Sequence, residues 1–470
     1  MNDFLIYTLQ QRRQKLAQLI DKPAIFWSGK ALSRNFRANR YPFRASSHFL
    51  YFTGLNLENA AIIVENGNLS LFMDNPSPDS TLWHGEMPTR EDIAAQIGAN
   101  QAYPLTELGN HTTDALTIPV QDVTTYQQQW EILNRSFSAK NPLTALDLDL
   151  VKAIVTLRLS HDKNALTEIK KAASVAITSH KIGMKVSKNA QTEAEIRGAM
   201  EGYIMGQNMT CAYNSIVTVH GEVLHNEHYH HHLQSGDLLL ADVGAETSLG
   251  WASDITRTWP VNGQFSPTQR DIYDLVLAAH DACIEQIKPG QEYREIHLLA
   301  AKIIAEGLVN LGILRGNPET LVEKDAHALF FPHGIGHLLG LDVHDMEDLG
   351  DLAGYELGRS RSQRFGLGYL RLDRPLKAGM VVTIEPGFYQ VPAILNNPQF
   401  KETYDIDINW DKLAQFSDVK GVRIEDDILV TEMGAEILTV NLPTHPLAIE
   451  ALVNEGVDSG KTEDSAIAKT

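Results

Sequence analysis

Apolar residues between Phe4 and Ile20 recur at helical spacing, and short apolar runs then follow at 24–27, 49–52, 60–64 and 69–73. Period and length predict one helix followed by four strands. Helical spacing returns at 90–97 and near 127–137, so the first stretch reads as a mixed α/β domain, residues 1–155, with its boundary region opening at Asn141-Pro142. Beyond Ser160 the texture changes to longer helices. One begins at Ser266-Pro267-Thr268-Gln269, a capping box with proline in the first turn, and buries Ile272, Leu275, Val276, Ala279 and Cys283 before Pro289-Gly290 stops it. A second carries Ile296, Leu299, Ala300, Ile303, Ile304 and Leu308, and a third starts at the capping box Thr192 to Glu195.

Between these helices two runs share a pattern: LQSGDLLLADVG from Leu233 to Gly244 and LKAGMVVTIEPG from Leu376 to Gly387. In each, a glycine turn enters an apolar strand that closes on an acid followed by X-Gly, and every matched position keeps the same offset. This predicts a duplicated β unit whose copies converge two carboxylates, Asp242 and Glu385. The turn around 246–250 predicts a hairpin that sets Asp254 near Asp242, with neighbouring strands ~5 Å apart.

Length and composition narrow the class. A chain of 470 residues with 43% apolar and 21% charged positions has material for two or three globular units. A net charge of -19, from 59 acids against 40 bases, excludes nucleic acid and anionic membrane surfaces as expected partners. Only Cys211 and Cys283 occur, too few for a disulfide framework, and no apolar run reaches ~18 residues, so a cytoplasmic protein is expected. The polar tail, 453–470, is expected to be disordered.

Candidate chemistry lies in five blocks: Asp242, Asp254 in ASDITRTWP, His333 and His337 in PHGIGH, Glu385, and Glu425 in GVRIEDD. Singly each has a structural explanation; Asp242 alone would be a strand-end hydrogen-bond acceptor, and histidines four apart also occur in glycine loops. Together four carboxylates and one imidazole make a hard, oxygen-rich donor set suited to Mn²⁺ or a similar divalent ion. Like charges that close could not all stay ionised without cations between them. The tract from His225 through His232 invites a separate metal-storage reading, but its polarity and its place before Ser235-Gly236 fit an exposed loop.

These five blocks, in this order, resemble the M24 metallopeptidases of the pita-bread fold, proline-specific branch. The stretch RYPFRASSHFLYFTG from Arg40 to Gly54 resembles the N-terminal domain of the family's Xaa-Pro aminopeptidases and prolidases. The resemblance implies an α+β fold: a pita-bread (creatinase/aminopeptidase-like) catalytic domain over 156–452 with the smaller α/β domain before it. It implies two divalent metal ions per subunit, manganese being expected, with Asp242 on one, Asp254 and Glu425 bridging, and His337 with Glu385 completing the second. A hydroxide between the ions would be the nucleophile and Glu385 would handle its proton. His225, His333 and His344 would line the site and shuttle protons. Arg423 would orient Glu425 or bind substrate, and Arg371 lies where prolidases keep an arginine for the substrate carboxylate. The implied activity is hydrolysis of the N-terminal Xaa-Pro bond of short peptides by a homodimer or homotetramer. Two alternatives stay open, an Xaa-Pro dipeptidase, which Arg371 favours, and a non-catalytic pita-bread module that binds peptides.

Overall fold

Residues 1–135 and 145–456 are described by the computed structural model, and they sort into two compact units. The first comprises Met1–Ile169 with Thr247–Trp251 and Gly340–Leu357; the second comprises Lys170–Glu246, Ala252–Leu339 and the chain from Gly358 onward. The boundary region expected at Asn141-Pro142, the end of the helical pattern at Phe137 and all but the start of the polar tail lie outside the described residues.

In the first unit the strand Ala24–Trp27 sits inside a mixed sheet whose order is Gln101–Tyr103, Asn68–Phe72, Ala61–Glu65, Ala24–Trp27, Leu116–Thr117. Ile25, Trp27, Ile63 and Phe72 pack with Leu105 and Leu108 in one apolar cluster. The helix Asp3–Ala17 buries Leu5, Leu9 and Leu16, as its spacing predicts, and also Arg12 and Arg13. Arg13 donates to the carbonyls of Phe52 and Ile97 at 2.8 and 2.7 Å, which end the helices Ser47–Thr53 and Arg90–Ile97. A buried cation thus finds its partners at helix C-termini, where carbonyls are unpaired.

Phe49–Phe52, expected as a strand, is helical. Ser46 caps the helix by accepting from Phe49 N, Gly54 ends it at φ 60°, and all seven residues between are buried. A segment buried on every face carries no period, so the caps decide its state and the apolar run does not.

In the second unit both copies of the repeated pattern form strands. Leu238–Asp242 lies between Thr256–Pro260 and Ile216–Thr218, with Asp242 opposite Thr256. The hairpin is present, and Asp254 precedes its second strand. Gly244 is required there, because a Cβ would stand 2.0 Å from the Ser253 carbonyl oxygen. The second copy, Val381–Ile384, pairs with Asp426–Val430 so that Ile384 faces Asp426. Glu425 N donates to Thr256 O at 3.0 Å, stitching one copy to the other. The helix Pro267–Glu285 buries its predicted face, and the capping box at Ser266 and Gln269 is formed; Tyr293–Asn310 buries Ile296, Ala300, Ile304 and Leu308 and leaves the expected Leu299 and Ile303 half-buried. Among the described residues no helix is long and apolar enough to cross a membrane.

Arg257 lies fully buried where the copies meet. It donates to Glu425 O at 2.7 Å, Leu442 O at 3.0 Å and Asp426 Oδ1 at 2.8 Å. Removing it strands a buried carboxylate and several carbonyls, a loss of about 3–5 kcal/mol for a broken buried pair. Arg257→Met is therefore expected to lower unfolding stability by that amount in a urea titration; a shift under 1 kcal/mol would contradict the assignment.

Candidate metal centre and active site

The alternation of a strand places residues two apart on one face. Asp254 and Thr256, and likewise Arg423 and Glu425, thereby reach the same interior point from the two copies. Asp254, His337 and Glu425, all buried, each offer a ligand atom within 4.8 Å of the others. His337 Nε2 stands 3.3 Å from Asp254 Oδ2 and 3.8 Å from Glu385 Oε1. Its Nδ1 lies 3.0 Å from the Leu338 carbonyl, which can only accept, so Nε2 carries the lone pair and faces the carboxylates. The histidine loop needs Gly336, since a Cβ there would meet Thr383 O at 2.2 Å and the Tyr293 hydroxyl at 2.3 Å.

Asp242 joins the group through shared donors. The Tyr213 hydroxyl stands 2.5 Å from Asp242 Oδ1 and 2.6 Å from Asp254 Oδ1. Arg423 donates to Asp242 Oδ2 at 2.5 Å and, through Nε, to Thr256 Oγ1 at 2.9 Å. Thr256 in turn donates to Glu425 Oε2 at 2.6 Å, so Arg423 orients Glu425 through the threonine as well as across 3.8 Å directly. Asp427 receives the main-chain N–H of Asp254 at 3.2 Å.

Four carboxyls this close, Asp242, Asp254 and Glu425 buried and Glu385 half-buried, are short of positive charge. Burial pushes Glu385 up to about 8, Arg423 opposing and Asp254 and Asp242 adding to the rise. Burial, then Asp254, Glu385 and Asp242, holds Glu425 well above the usual carboxylate range. Asp242 is raised by burial against the pull of Arg423. Arg423, with Arg371 acting on Glu385, does not neutralise the set; divalent cations would, and oxygen donors with one imidazole suit hard or borderline ions.

His333 lies beside this group. Its Nδ1 donates to Gly334 O at 2.8 Å and is 3.7 Å from Glu385 Oε2; the Tyr389 hydroxyl is 2.8 Å from Nε2. Arg423 donates to the same hydroxyl at 3.1 Å, so the chain Arg423, Tyr389, His333 is polarised toward the imidazole. Burial, then Arg423, pushes His333 down to about 3, and the ring is neutral at ordinary pH.

The remaining sequence candidates are placed differently. Arg371 is half-buried, and its charge acts on both Glu385 and His333. His225 is exposed in the loop after Ile216–Thr218. His344 belongs to the first unit, 3.2 Å from Glu347 and on the wall of a cavity of about 430 Å³. Sequence reading missed Tyr213, Thr256, Tyr389 and Asp427. Thr256 and Asp427 stand two positions from Asp254 and Glu425, so the strand period could have found them; nothing local marks Tyr213.

Residues 167–432 match metallopeptidase family M24, and residues 9–123 match the aminopeptidase P N-terminal domain. The chain belongs to family M24. As an M24 metallopeptidase it is 32% identical to a Xaa-Pro aminopeptidase of Haemophilus influenzae, with 95% of this chain and 96% of that one covered. It is 29% identical to the mitochondrial intermediate cleaving peptidase 55 of Arabidopsis thaliana, covering 97% and 84%. Among solved structures, aminopeptidase P from Escherichia coli with the inhibitor Pro-Leu superposes at a TM-score of 0.79 and 28% identity, over 96% of this chain and 98% of that one. Pseudomonas aeruginosa aminopeptidase PepP gives 0.78 and 28% over the same shares. The M24 fold expected from the sequence, a pita-bread domain preceded by a smaller α/β domain, is the fold found.

Proposed function

We propose that this M24 metallopeptidase is an Xaa-Pro aminopeptidase, releasing the first residue of short peptides whose second residue is proline. The observation that carries the reading is the convergence of Asp254, His337 and Glu425 in a chain that matches relatives named Xaa-Pro aminopeptidase along nearly its whole length. Asp242, Asp254, His337, Glu385 and Glu425 would hold two divalent ions, manganese in our reading, which when bound polarise the scissile carbonyl and lower the pKa of a water. Glu385, half-buried and 3.7 Å from His333, takes the proton of the attacking water. His333, held by Tyr389 and Gly334, lines the site beside Glu385. A proline nitrogen has no N–H and leaves only when protonated. By resemblance to the family, His225 and His344 carry that proton.

A second reading, the Xaa-Pro dipeptidase, is favoured by one observation: Arg371 is close enough to act on Glu385 and could bind a carboxylate directly after proline. Hydrolysis of Ala-Pro and of Ala-Pro-Gly-Gly under added Mn²⁺ separates the two. The tetrapeptide is expected to be favoured at least about 10-fold in kcat/KM, roughly 1.4 kcal/mol of added binding in the transition state. Cleavage of the dipeptide alone would transfer the assignment to the dipeptidase.

The same reading assigns residues 1–155 to the N-terminal domain and 156–452 to the catalytic one, places the protein in the cytoplasm and makes it a homodimer or homotetramer. What supports an assembly is the helix Pro78–His84, which buries none of its own residues and leaves Leu82 and Trp83 76% and 79% exposed. Light scattering reads the subunit number; a monomer at all concentrations would remove that part.

A further inference from the structure

The tract between His228 and His232 lies outside the residues assigned to hydrolysis, yet the fold holds it in a definite place. Glu193 N donates to His231 O at 3.2 Å, Ala194 N to Tyr229 O at 3.1 Å and Leu233 N to Gln191 O at 2.9 Å. The first turn of the helix Glu193–Gly206 thus fastens the tract by its main chain, and the Arg197 guanidinium lies 4.0 Å over the Tyr229 ring. This docking brings His231 against His220, which comes from a separate stretch just after the strand Ile216–Thr218. Their ring centroids are 4.3 Å apart, and His230 packs 4.3 Å from His231.

Two of these rings already have one nitrogen committed to a carboxylate. His231 Nδ1 is 2.8 Å from Glu193 Oε2, and His220 Nδ1 is 2.9 Å from Glu222 Oε1. A carboxylate accepts, so each Nδ1 carries the hydrogen and each neutral ring keeps its lone pair on Nε2. Carboxylates behind imidazoles in this way orient metal-ligating histidines and raise their basicity. Glu193 is itself fixed, fully buried and receiving Thr218 Oγ1 at 2.9 Å and Val219 N at 2.8 Å. Glu222 Oε2 is buried and accepts no hydrogen bond, an unbalanced carboxylate oxygen beside the ring pair.

We propose that His220, His231 and His230, with Glu222 beside them, form a second metal site, separate from the carboxylate centre, for an imidazole-seeking borderline ion such as Ni²⁺ or Zn²⁺. Nitrogen donors favour these ions over Mn²⁺, so the two centres select by donor type. Among the described residues three donor atoms lie within 4.8 Å of one another only at Asp254, His337 and Glu425. The His220–His231 pair therefore takes the ion first, and exposed His230 closes on it.

Equilibrium dialysis of the full-length, Mn²⁺-loaded protein against Ni²⁺, with analysis of both metals, tests this. One Ni²⁺ per chain is expected to bind while the Mn²⁺ content stays constant. The double variant His220→Ala/His231→Ala should weaken Ni²⁺ binding at least 10-fold, and Glu222→Gln about 10-fold. His232→Ala, exposed and outside the ring contacts, should bind as the parent does. Unchanged peptidase activity certifies the fold of each variant; should the double variant lose it, His220→Asn at its half-exposed position carries the test with the same expected loss. Nickel that enters only by displacing Mn²⁺, or that binds the histidine variants as tightly as the parent, overturns the proposal.

Discussion

Asp254→Ala and Glu425→Ala are each expected to lower kcat/KM for Ala-Pro peptides by at least about 10³-fold while leaving the chain folded. Both acids belong to the group whose donor atoms lie within 4.8 Å of one another, and they come from opposite copies of the repeated strand unit. Losing either one opens the cluster from one side. Polarisation of the scissile carbonyl is worth several kcal/mol, and each 1.36 kcal/mol is a factor of ten, which sets the scale. A misfolding explanation makes a different forecast. In chelator-treated protein these carboxyls repel one another, so deleting one relieves strain at the cost of one short hydrogen bond, in the case of Glu425 that from Thr256. The metal-free variants should therefore melt no lower than the metal-free parent. Activity at the parent rate in either variant would remove the metal-centre reading; a fall in activity with an equal fall in metal-free stability would make the residue structural.

The centre was legible in the sequence to the extent that it lies on strands. The matched offset between the runs ending at Asp242 and Glu385 follows from two strands of one design, and both strands are present. Asp254 could be placed near Asp242 because a short turn constrains antiparallel partners to a single register. What failed were contacts between residues with no shared period. Tyr213 reaches Asp242 and Asp254, and Tyr389 reaches His333 and Arg423, through tertiary packing that leaves no local mark. Arg423 was expected to orient Glu425, and the larger part of that coupling runs through Thr256, which alternation alone would have flagged.

The first unit shows the same division. Its strands follow apolar runs, but Phe49–Phe52 is decided by Ser46 and Gly54 at its ends. The membership of Thr247–Trp251 and Gly340–Leu357 in that unit has no linear signature at all. Within it, Arg158 is buried and donates to Asp345 at 2.6 Å and Asp342 at 3.2 Å, anchoring the segment that carries His344. Neither acid is distinguishable in sequence from a solvated loop residue. The tract from His228 to His232 reads as an exposed polar loop for the same reason, since its anchors, Glu193 and Ala194, lie far away along the chain.

Chelation is expected to abolish hydrolysis and to reverse the pH dependence of stability, and the window from pH 7.5 to 9 isolates the cause. Below it several terms compete. His180, His297, His327 and His333 are pushed by burial to between about 3 and 4, so the unfolded chain binds more protons there and stability rises toward pH 7.5. Above 7.5 these rings are about nine-tenths neutral even in the unfolded chain, and they drop out. Glu385 does not: without cations it titrates near 8 when folded and near 4.5 when unfolded, so the folded state holds the extra proton. Metal-free stability must then fall as pH rises through the window, by on the order of 1 kcal/mol from this residue alone, and flatten above it. Glu425, Asp242 and Asp427 are raised too and add with the same sign. Cations reverse the balance by making the ionised carboxylates the favoured form. Mn²⁺ binding near pH 7 should therefore release at least one proton per chain, read from calorimetry in buffers of different ionisation enthalpy, and tighten as pH rises toward 8. Binding without proton release, or a metal-free melting temperature that climbs between pH 7.5 and 9, would mean that these carboxyls are already ionised and do not form a centre waiting for positive charge.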